Sequence, residues 1–263
     1  MATNLFISYP DIPLRASTFT STNAADTGYS LYDTISGSRA KIFRTASTGI
    51  TTFNFDYDLG ASVTASIDHV ILARANLIKG NNNDAGNPTY TVKADSSTAY
   101  ANTIIAATDI STANMKGPRS EDSISVISAS TAYRYWRVSI GSSAAASLDY
   151  IPISKIYLGT GFDMGRDPLY SRVLQRDTQT DNNREPLYRV DMQWEGITDA
   201  KAQTFISSVA SYADIRPVFL YTSSYHDILN EHRVIHCRIK TYTITPRKRP
   251  NTNTIKVIFE ECV

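Results

Sequence analysis

Histidine and cysteine, the side chains that most readily bind transition metals, cluster at one place in the chain. His226, His232, His236 and Cys237 fall within a short C-terminal stretch. His236 and Cys237 are neighbours in an alternating segment that predicts a strand, so their side chains point to opposite faces and cannot grip one ion. The sequence therefore predicts an exposed histidine and a core thiol rather than a metal site. Cys262 is expected to be a second buried thiol, and no cofactor is expected.

Carboxylates and one further histidine are the other candidates for catalysis. Asp68 precedes His69 in an apolar segment, but no Gly-x-Ser-x-Gly motif supplies a nucleophile, so His69 is expected to be a core or interface residue. Asp56 and Asp58 share one strand face, and two carboxyl groups across a cleft are what glycoside hydrolysis requires. They come just before Gly60, where acidic residues are ordinary turn formers. A glycosidase-type cell-wall hydrolase is thus the least favoured function, no catalytic residue is assigned, and the protein is not expected to be an enzyme.

Charge disfavours partners that need a strongly basic or acidic protein. The 263 residues include 26 Lys and Arg against 25 Asp and Glu, a formal net charge of +1. Nucleic acid is therefore not an expected partner. The basic run from Pro246 to Pro250 lies between two predicted strands and is interpreted as a solvated hairpin tip that could still pair with an acidic neighbouring subunit. Charged residues interrupt every apolar stretch well before the roughly 20 residues that span a bilayer, so membrane insertion is not expected.

Tyrosine is the remaining chemical feature, with 16 residues in the chain. Tyr29, Tyr32, Tyr90 and Tyr100 lie in or beside polar segments of the first half. Aromatic rings at sheet ends can stack on sugar rings, but they also pack within β-sheets and form protein interfaces. These four residues are the candidate carbohydrate or interface residues, and all three interpretations stay open.

Short strands must position these residues, because alternating apolar segments dominate the first half. Tyr133 to Ile140 alternates most clearly, with Trp136 on the apolar parity and Tyr135 and Arg137 on the polar one. Ser66 to Ala73 is apolar on both faces. Further strands are predicted at residues 41–44, 52–57, 90–93, 123–128 and 153–158, with a loop at 81–88 and no clear period over 97–120. The pattern predicts a mostly β protein with two packed antiparallel sheets.

A change of composition near Phe162 predicts a domain boundary, with a β-sandwich over residues 1–165 and a smaller α+β module over 166–263. Asp199 is the predicted N-cap of a helix that includes Ala202 and Phe205 and is stopped by Pro217. Strands are predicted around this helix at residues 188–194, 218–221, 234–240 and 254–260.

Several segments resemble a known family. Phe53–Gly60 (FNFDYDLG), Ile67–Leu77 (IDHVILARANL), Tyr135–Ile140 (YWRVSI) and Ile153–Gly159 (ISKIYLG) resemble, in order, the galactose-binding-like jelly roll found in tail proteins of tailed bacteriophages. Ala75 stands where a histidine is frequent in that family, which weakens a ligand role at this position.

The second part is similar to modules of phage minor and distal tail proteins. An aromatic strand leads into ITDAKAQTF at Ile197–Phe205, and a Pro-Val-Phe-Leu strand and a closing strand rich in Glu follow at Pro217–Leu220 and Ile255–Glu261.

The resemblance implies a structural protein of a phage virion. It would be a tail-tip or distal-tail (minor tail) subunit that forms part of a ring with copies of itself and contacts the tail tube, hub and fibres. The C-terminal module would mediate ring assembly, and the sandwich would lie outside and contact host-surface glycans. The alternative is a carbohydrate- or receptor-binding tail protein. In either case the expected location is the tail of the virion, after synthesis in the bacterial host cytoplasm, although the neck is not distinguished from the tail tip.

Overall fold

The chain folds into two compact units, Pro10–Thr160 and a second unit that combines Met1–Tyr9 with Gly161–Val263. The computed structural model describes residues 5–8, 12–35, 41–78, 88–110, 115–116, 122–128, 130–142, 148–166, 168–180, 186–211, 218–222 and 233–261. The sequence-based boundary after residue 165 assigned the whole N-terminus to the sandwich. In the structure the first strand, β1 (Leu5–Ser8), instead pairs with a strand of the second unit.

Two antiparallel sheets form the first unit. The five-stranded sheet has the order β2-β3-β9-β5-β6 and the four-stranded sheet the order β10-β4-β8-β7. The strands are β2 (Thr18–Ser21), β3 (Thr52–Asp58), β4 (His69–Ala73), β5 (Pro88–Asp95), β6 (Asn102–Asp109), β7 (Met115–Lys116), β8 (Asp122–Val126), β9 (Tyr135–Ser142) and β10 (Lys155–Gly159). The mostly β fold, with two antiparallel sheets packed as a sandwich, is the coarse fold class predicted from the sequence, and the galactose-binding-like jelly roll stays a prediction.

The core of this unit lies between the two sheets. Strand β3 buries Phe53, Phe55 and Tyr57 while the residues between them stay half-buried, because successive strand residues face opposite sides. Strand β9 does the same with Trp136, as its parity predicted. Strand β4 is buried along its whole length. The neighbouring strand β10 is contacted by the short helix α1 (Ile12–Arg15) and by the 3-10 turn Leu31–Ile35.

Some elements of the sandwich differ from the predictions. Residues 41–44 form no strand and contribute one isolated bridge, from Phe43 to Ile153. Strand β6 falls inside residues 97–120, where the sequence showed no period. The predicted loop at 81–88 lies, apart from Pro88, outside the described residues.

A six-stranded antiparallel sheet organises the second unit, in the order β1-β13-β14-β15-β12-β11. Its other strands are β11 (Tyr170–Thr180), β12 (Pro186–Thr198), β13 (Val218–Thr222), β14 (Arg233–Pro246) and β15 (Thr252–Glu261). Strands β12 to β15 were predicted in part, and each extends beyond its predicted bounds. Strand β11 was not predicted, because its polar sequence was assigned to the domain boundary.

One helix packs on this sheet. Helix α2 (Asp199–Thr204) continues into the π-helical turn Phe205–Ala210, and Phe205 and Val209 are fully buried against the sheet residues of the core. The N-cap is Thr198, whose hydroxyl accepts the Lys201 N–H at 3.3 Å, and not Asp199 as predicted. The predicted stop at Pro217 lies outside the described residues. No helix of the described chain is long and apolar enough to cross a membrane.

Candidate functional site

The outer face of the five-stranded sheet carries a polar pocket of about 350 Å³. We call it the sheet pocket. Its lining residues come from three adjacent strands and from the loop that follows β5: Thr18, Thr20, Asp56, Asp58, Thr98, Tyr100, Tyr135 and Arg137.

Strand register builds the pocket as two cross-strand rows. Thr20 pairs with Asp56, which pairs with Arg137 on the next strand. Thr18 pairs with Asp58, which pairs with Tyr135. The apolar residues between these positions face the core, so period-two alternation alone turns all six side chains outward.

Each carboxylate of the pocket is held by an arginine in a bidentate pair. Arg137 donates to both oxygens of Asp56 at 2.6 and 2.7 Å, and Arg134 donates to both oxygens of Asp58 at 2.6 and 2.8 Å. Asp58 Oδ1 also accepts the Gly60 N–H at 2.8 Å. The Arg134 hydrogen bonds, helped by the one from Gly60, hold the pKa of Asp58 below its usual value.

Two tyrosines stack on the same arginines. The Arg137 guanidinium lies 4.0 Å from the ring centroid of Tyr100, and that of Arg134 lies 4.6 Å from the ring centroid of Tyr135. Burial, helped by the charge of Asp56, raises the pKa of Tyr100. The Tyr100 hydroxyl therefore stays protonated at neutral pH and can donate a hydrogen bond.

The loop after β5 is fixed by one carboxylate. Asp95 accepts the N–H groups of Ser96 at 2.6 Å and Ala101 at 3.0 Å, and these bonds, with the Ala101 N–H foremost, lower its pKa. Tyr100 has a φ of +51°, a left-handed conformation that is uncommon for a tyrosine. Such a conformation persists only where its surroundings hold it, and here it directs Tyr100 into the pocket.

This arrangement suits recognition of a neutral, hydroxyl-rich molecule better than acid–base catalysis. Two carboxylates and two guanidinium groups balance in charge. A carboxylate that accepts two hydrogen bonds from arginine still has lone pairs free for ligand hydroxyls. Glycoside hydrolysis requires a carboxylic acid whose pKa is raised, whereas that of Asp58 is lowered.

The four tyrosines proposed from the sequence lie in different environments. Tyr100 lines the pocket. Tyr29 and Tyr32 are exposed, at 37% and 63%, and lie outside the pocket lining, where Tyr32 packs edge-to-face on Phe19 at 6.2 Å. Tyr90 is wholly buried, which corrects its proposed role at the surface. It sits on the inward parity of β5 and donates a hydrogen bond to Ser125.

Sequence reasoning missed Tyr135 and Arg134 as site residues and assigned no binding role to Asp56, Asp58 or Arg137. The parity of β9 did place Tyr135 and Arg137 on the polar face. The partners of the two carboxylates lie 81 and 76 residues away in sequence, so no local spacing pointed to the pairs.

The remaining chemical candidates form no site in the described residues. His236 is buried beside Phe219, with ring centroids 4.9 Å apart, so the prediction that it is exposed was wrong. Cys237 is a core thiol as predicted, while His226, His232 and Cys262 lie outside the described residues. His69 is fully buried with Nδ1 2.6 Å from Asp68 Oδ1, as a core histidine should be. No group of three metal-binding side chains occurs in the part of the chain that is described.

One lysine is buried in the sandwich away from the pocket. Lys155 on β10 is 1% exposed, and its Nζ donates to the Asp33 carbonyl oxygen. Burial lowers the pKa of Lys155 to about 7, against the opposing effect of the Asp33 carboxylate. Because Nζ is buried and donates to a backbone carbonyl oxygen, we assign this amine a structural role.

Comparison with known proteins finds similarity in fold only. No family model and no curated protein matches the chain. One similar solved structure is chitosan-binding module 1 of a chitosanase/glucanase from Paenibacillus sp. IK-5, with 12% identity over 57% of this chain and 98% of that chain and a TM-score of 0.39.

Two others come from Clostridium perfringens. CBM32-3 of a family 31 glycoside hydrolase has 9% identity over 57% of this chain and 94% of that chain, with a TM-score of 0.40. The CBM32-1 and CBM32-2 domains of ZmpB, in complex with GalNAc, have 6% identity over 97% of this chain and 87% of that chain, with a TM-score of 0.41. We transfer no residue role from these structures, and membership of a phage tail family stays a prediction.

Proposed function

We propose that the protein binds a neutral carbohydrate in the sheet pocket. The observation that carries the proposal is the two Asp–Arg pairs beside Tyr100 and Tyr135, which put hydrogen-bond donors and acceptors next to aromatic rings. Sugar hydroxyls both donate and accept, and a sugar ring offers C–H groups that pack on an aromatic side chain.

The balanced charges of the two Asp–Arg pairs favour a neutral sugar over an acidic one. Because each carboxylate is neutralised by its own arginine, an acidic sugar gains little attraction and must compete with Asp56 and Asp58 for the guanidinium groups. Uncharged hexoses and N-acetylhexosamines carry no carboxylate, so they do not compete with Asp56 and Asp58 for the arginines. The pocket volume of about 350 Å³ accommodates one or two sugar rings and lies within the usual range of ligand sites.

A glycan array followed by calorimetry on the strongest neutral oligosaccharide tests the proposal. Tyr135→Ala removes the partly exposed ring while Arg134 keeps its bond to Asp58, and we expect roughly tenfold weaker binding. Tyr32→Ala is the matched control, since Tyr32 is the most exposed of the tyrosines proposed from the sequence, and it should bind as the wild type does. Absence of any neutral ligand, or loss in Tyr32→Ala with retention in Tyr135→Ala, would overturn the assignment.

A second candidate function is the structural one, a subunit of a phage tail ring located in the virion. Strand β11 supports it, because this edge strand of the six-stranded sheet pairs with β12 on one side and has no second neighbour among the described strands. An open edge can pair with another subunit. Measurement of the oligomer mass at high protein concentration checks ring assembly. Labelling of this protein on phage particles checks its location. A strict monomer absent from every particle would contradict both.

A further inference from the structure

The turn between β14 and β15 forms one wall of a cleft that the carbohydrate proposal leaves unexplained. The cleft has a volume of about 730 Å³ and is lined by Arg166, Gly196, Pro246, Arg247, Lys248, Arg249 and Thr252. We call it the basic cleft. All of its residues belong to the second unit, and it contains most of the basic run that the sequence analysis interpreted as a hairpin tip.

The hairpin tip has a defined shape. The Arg247 N–H donates to the Thr252 carbonyl oxygen at 2.9 Å, and the Thr252 hydroxyl donates to the Arg249 carbonyl oxygen at 3.0 Å. Asn251 completes the turn in the left-handed conformation, with a φ of +57°. These bonds fix the backbone that carries the three consecutive cations.

A second part of the lining is built around Gly196. This residue lies at a β-bulge between Glu195 and Ile197 and has a φ of +69°. A Cβ atom here would come within 2.7 Å of Arg166 Nη1, so the glycine permits the close approach of the guanidinium. Arg166 Nη1 then donates to the Glu195 carbonyl oxygen at 2.7 Å, and Arg166 lines the same cleft as the hairpin cations.

Among the described residues, only one carboxylate forms an ion pair with a cation of the basic cleft. Arg247 Nη1 lies 2.9 Å from Glu195 Oε2, the one carboxylate paired with a described lining residue. Lys248 and Arg249 are exposed and have no ion-pair partner in the described part of the chain. Among the described residues, four cationic side chains and one paired carboxylate sum to a local charge of +3, in a protein whose formal net charge is +1.

We propose that the basic cleft binds a ligand that carries two or more phosphate groups. Arginine presents a planar fork that suits phosphate oxygens, and a multiply charged oxyanion gains most from several converging cations. No aromatic ring is among the described residues that line the cleft, so they provide no platform on which nucleic-acid bases stack. Free polyphosphate and a phosphate-bearing polymer present the same chemistry.

Calorimetry on the full chain with inorganic phosphate, tripolyphosphate and a glycerol-phosphate oligomer tests the proposal. It also distinguishes free polyphosphate from a phosphate-bearing polymer as the ligand. We expect tripolyphosphate to bind more tightly than phosphate and the affinity to fall with rising salt. The double variant Lys248→Ala/Arg249→Ala should bind tripolyphosphate at least tenfold more weakly. The matched control Arg238→Ala/Lys256→Ala removes the same charge from exposed positions of β14 and β15 outside the cleft, and it should bind within about twofold of wild type.

Glu195→Gln tests the basic cleft in the opposite direction, because a loss of positive charge cannot cause tighter binding. This variant removes the carboxylate that forms an ion pair with Arg247 and keeps the side-chain shape. Tripolyphosphate binding should therefore become severalfold tighter. Equal weakening in both double variants, an unchanged affinity in Glu195→Gln, or tighter binding of a single-stranded oligonucleotide of equal charge would overturn the proposal. Neutral glycan binding should be unchanged in every cleft variant, so this proposal and the carbohydrate proposal can fail separately.

Discussion

At the scale of single residues, the inner and outer faces of one sheet use tyrosine in different ways. Tyr100 and Tyr135 line the sheet pocket, whereas Tyr57 and Tyr90 are wholly buried on the inner face. The two buried hydroxyls differ in turn. Tyr90 donates to Ser125, while the Tyr57 hydroxyl has no hydrogen-bond partner among the described residues. Burial raises the pKa of Tyr57 well above its usual value, so its unpaired hydroxyl remains neutral.

This contrast predicts opposite effects of the same substitution. Tyr57→Phe removes an unpaired buried hydroxyl and should raise the free energy of unfolding by about 1 kcal/mol. Tyr90→Phe is its matched control and should lower the free energy of unfolding by about 1 kcal/mol, because it leaves the Ser125 hydroxyl without its donor. Urea denaturation of both variants at neutral pH measures the two changes, and destabilisation by Tyr57→Phe would show that its hydroxyl is satisfied.

At the scale of elements, the pocket depends on a loop as much as on strands. The sheet fixes Asp56, Asp58, Tyr135 and Arg137 by register, but Tyr100 is placed by the turn that Asp95 organises. The hydrogen bonds of Asp95 to backbone N–H groups take the place of regular secondary structure in holding this segment.

Loss of that carboxylate should therefore loosen the loop and leave the sheet intact. Asp95→Ala is expected to weaken neutral glycan binding severalfold and to speed amide exchange at Ser96 and Ala101. Exchange in β3 and β9 should stay at the wild-type rate. Asp109→Ala, at the far end of strand β6, is the control and should preserve both loop exchange and glycan binding. Unchanged exchange at Ala101 in Asp95→Ala would contradict the assigned role.

The sequence predicted those elements whose burial follows from the apolar and polar residues within the element itself. Trp136, Val138 and Ile140 alternate with polar residues, and β9 formed with that parity. Strand β4, which is apolar after His69, is buried on both faces. Strands β6 and β11 were missed because their Thr, Ala, Gln and Asp residues carry little apolar signal, and pairing with β5 and β12 is what makes them strands. The pocket was only partly predictable, since its ion pairs depend on strand order.

At the scale of the whole molecule, the two units have separate hydrophobic cores that divide the N-terminus between them. The sandwich core runs from Ile12 to Leu158. The core of the second unit includes Ile7 together with residues from Phe162 to Phe259. Two buried isoleucines only a few positions apart therefore stabilise different units.

Substitution of these isoleucines should report on the two units separately. Ile7→Ala is expected to lower the stability of the second unit by about 2–5 kcal/mol, with faster amide exchange in β13 and β14 and no change in the sandwich. Ile12→Ala serves as the matched control and should speed exchange in the strands of the sandwich instead. If either variant destabilised both units equally, the cores would be energetically coupled.

The pairing of Leu5 with Thr222 also has a consequence for the order of events on the ribosome. Domains emerge and fold from the N-terminus during synthesis, so the sandwich can form while the segment that precedes it is still waiting for a partner. The nascent chain must carry an unpaired apolar strand until β13 has been synthesised, and during that time the strand is exposed to mispairing with a neighbouring nascent chain.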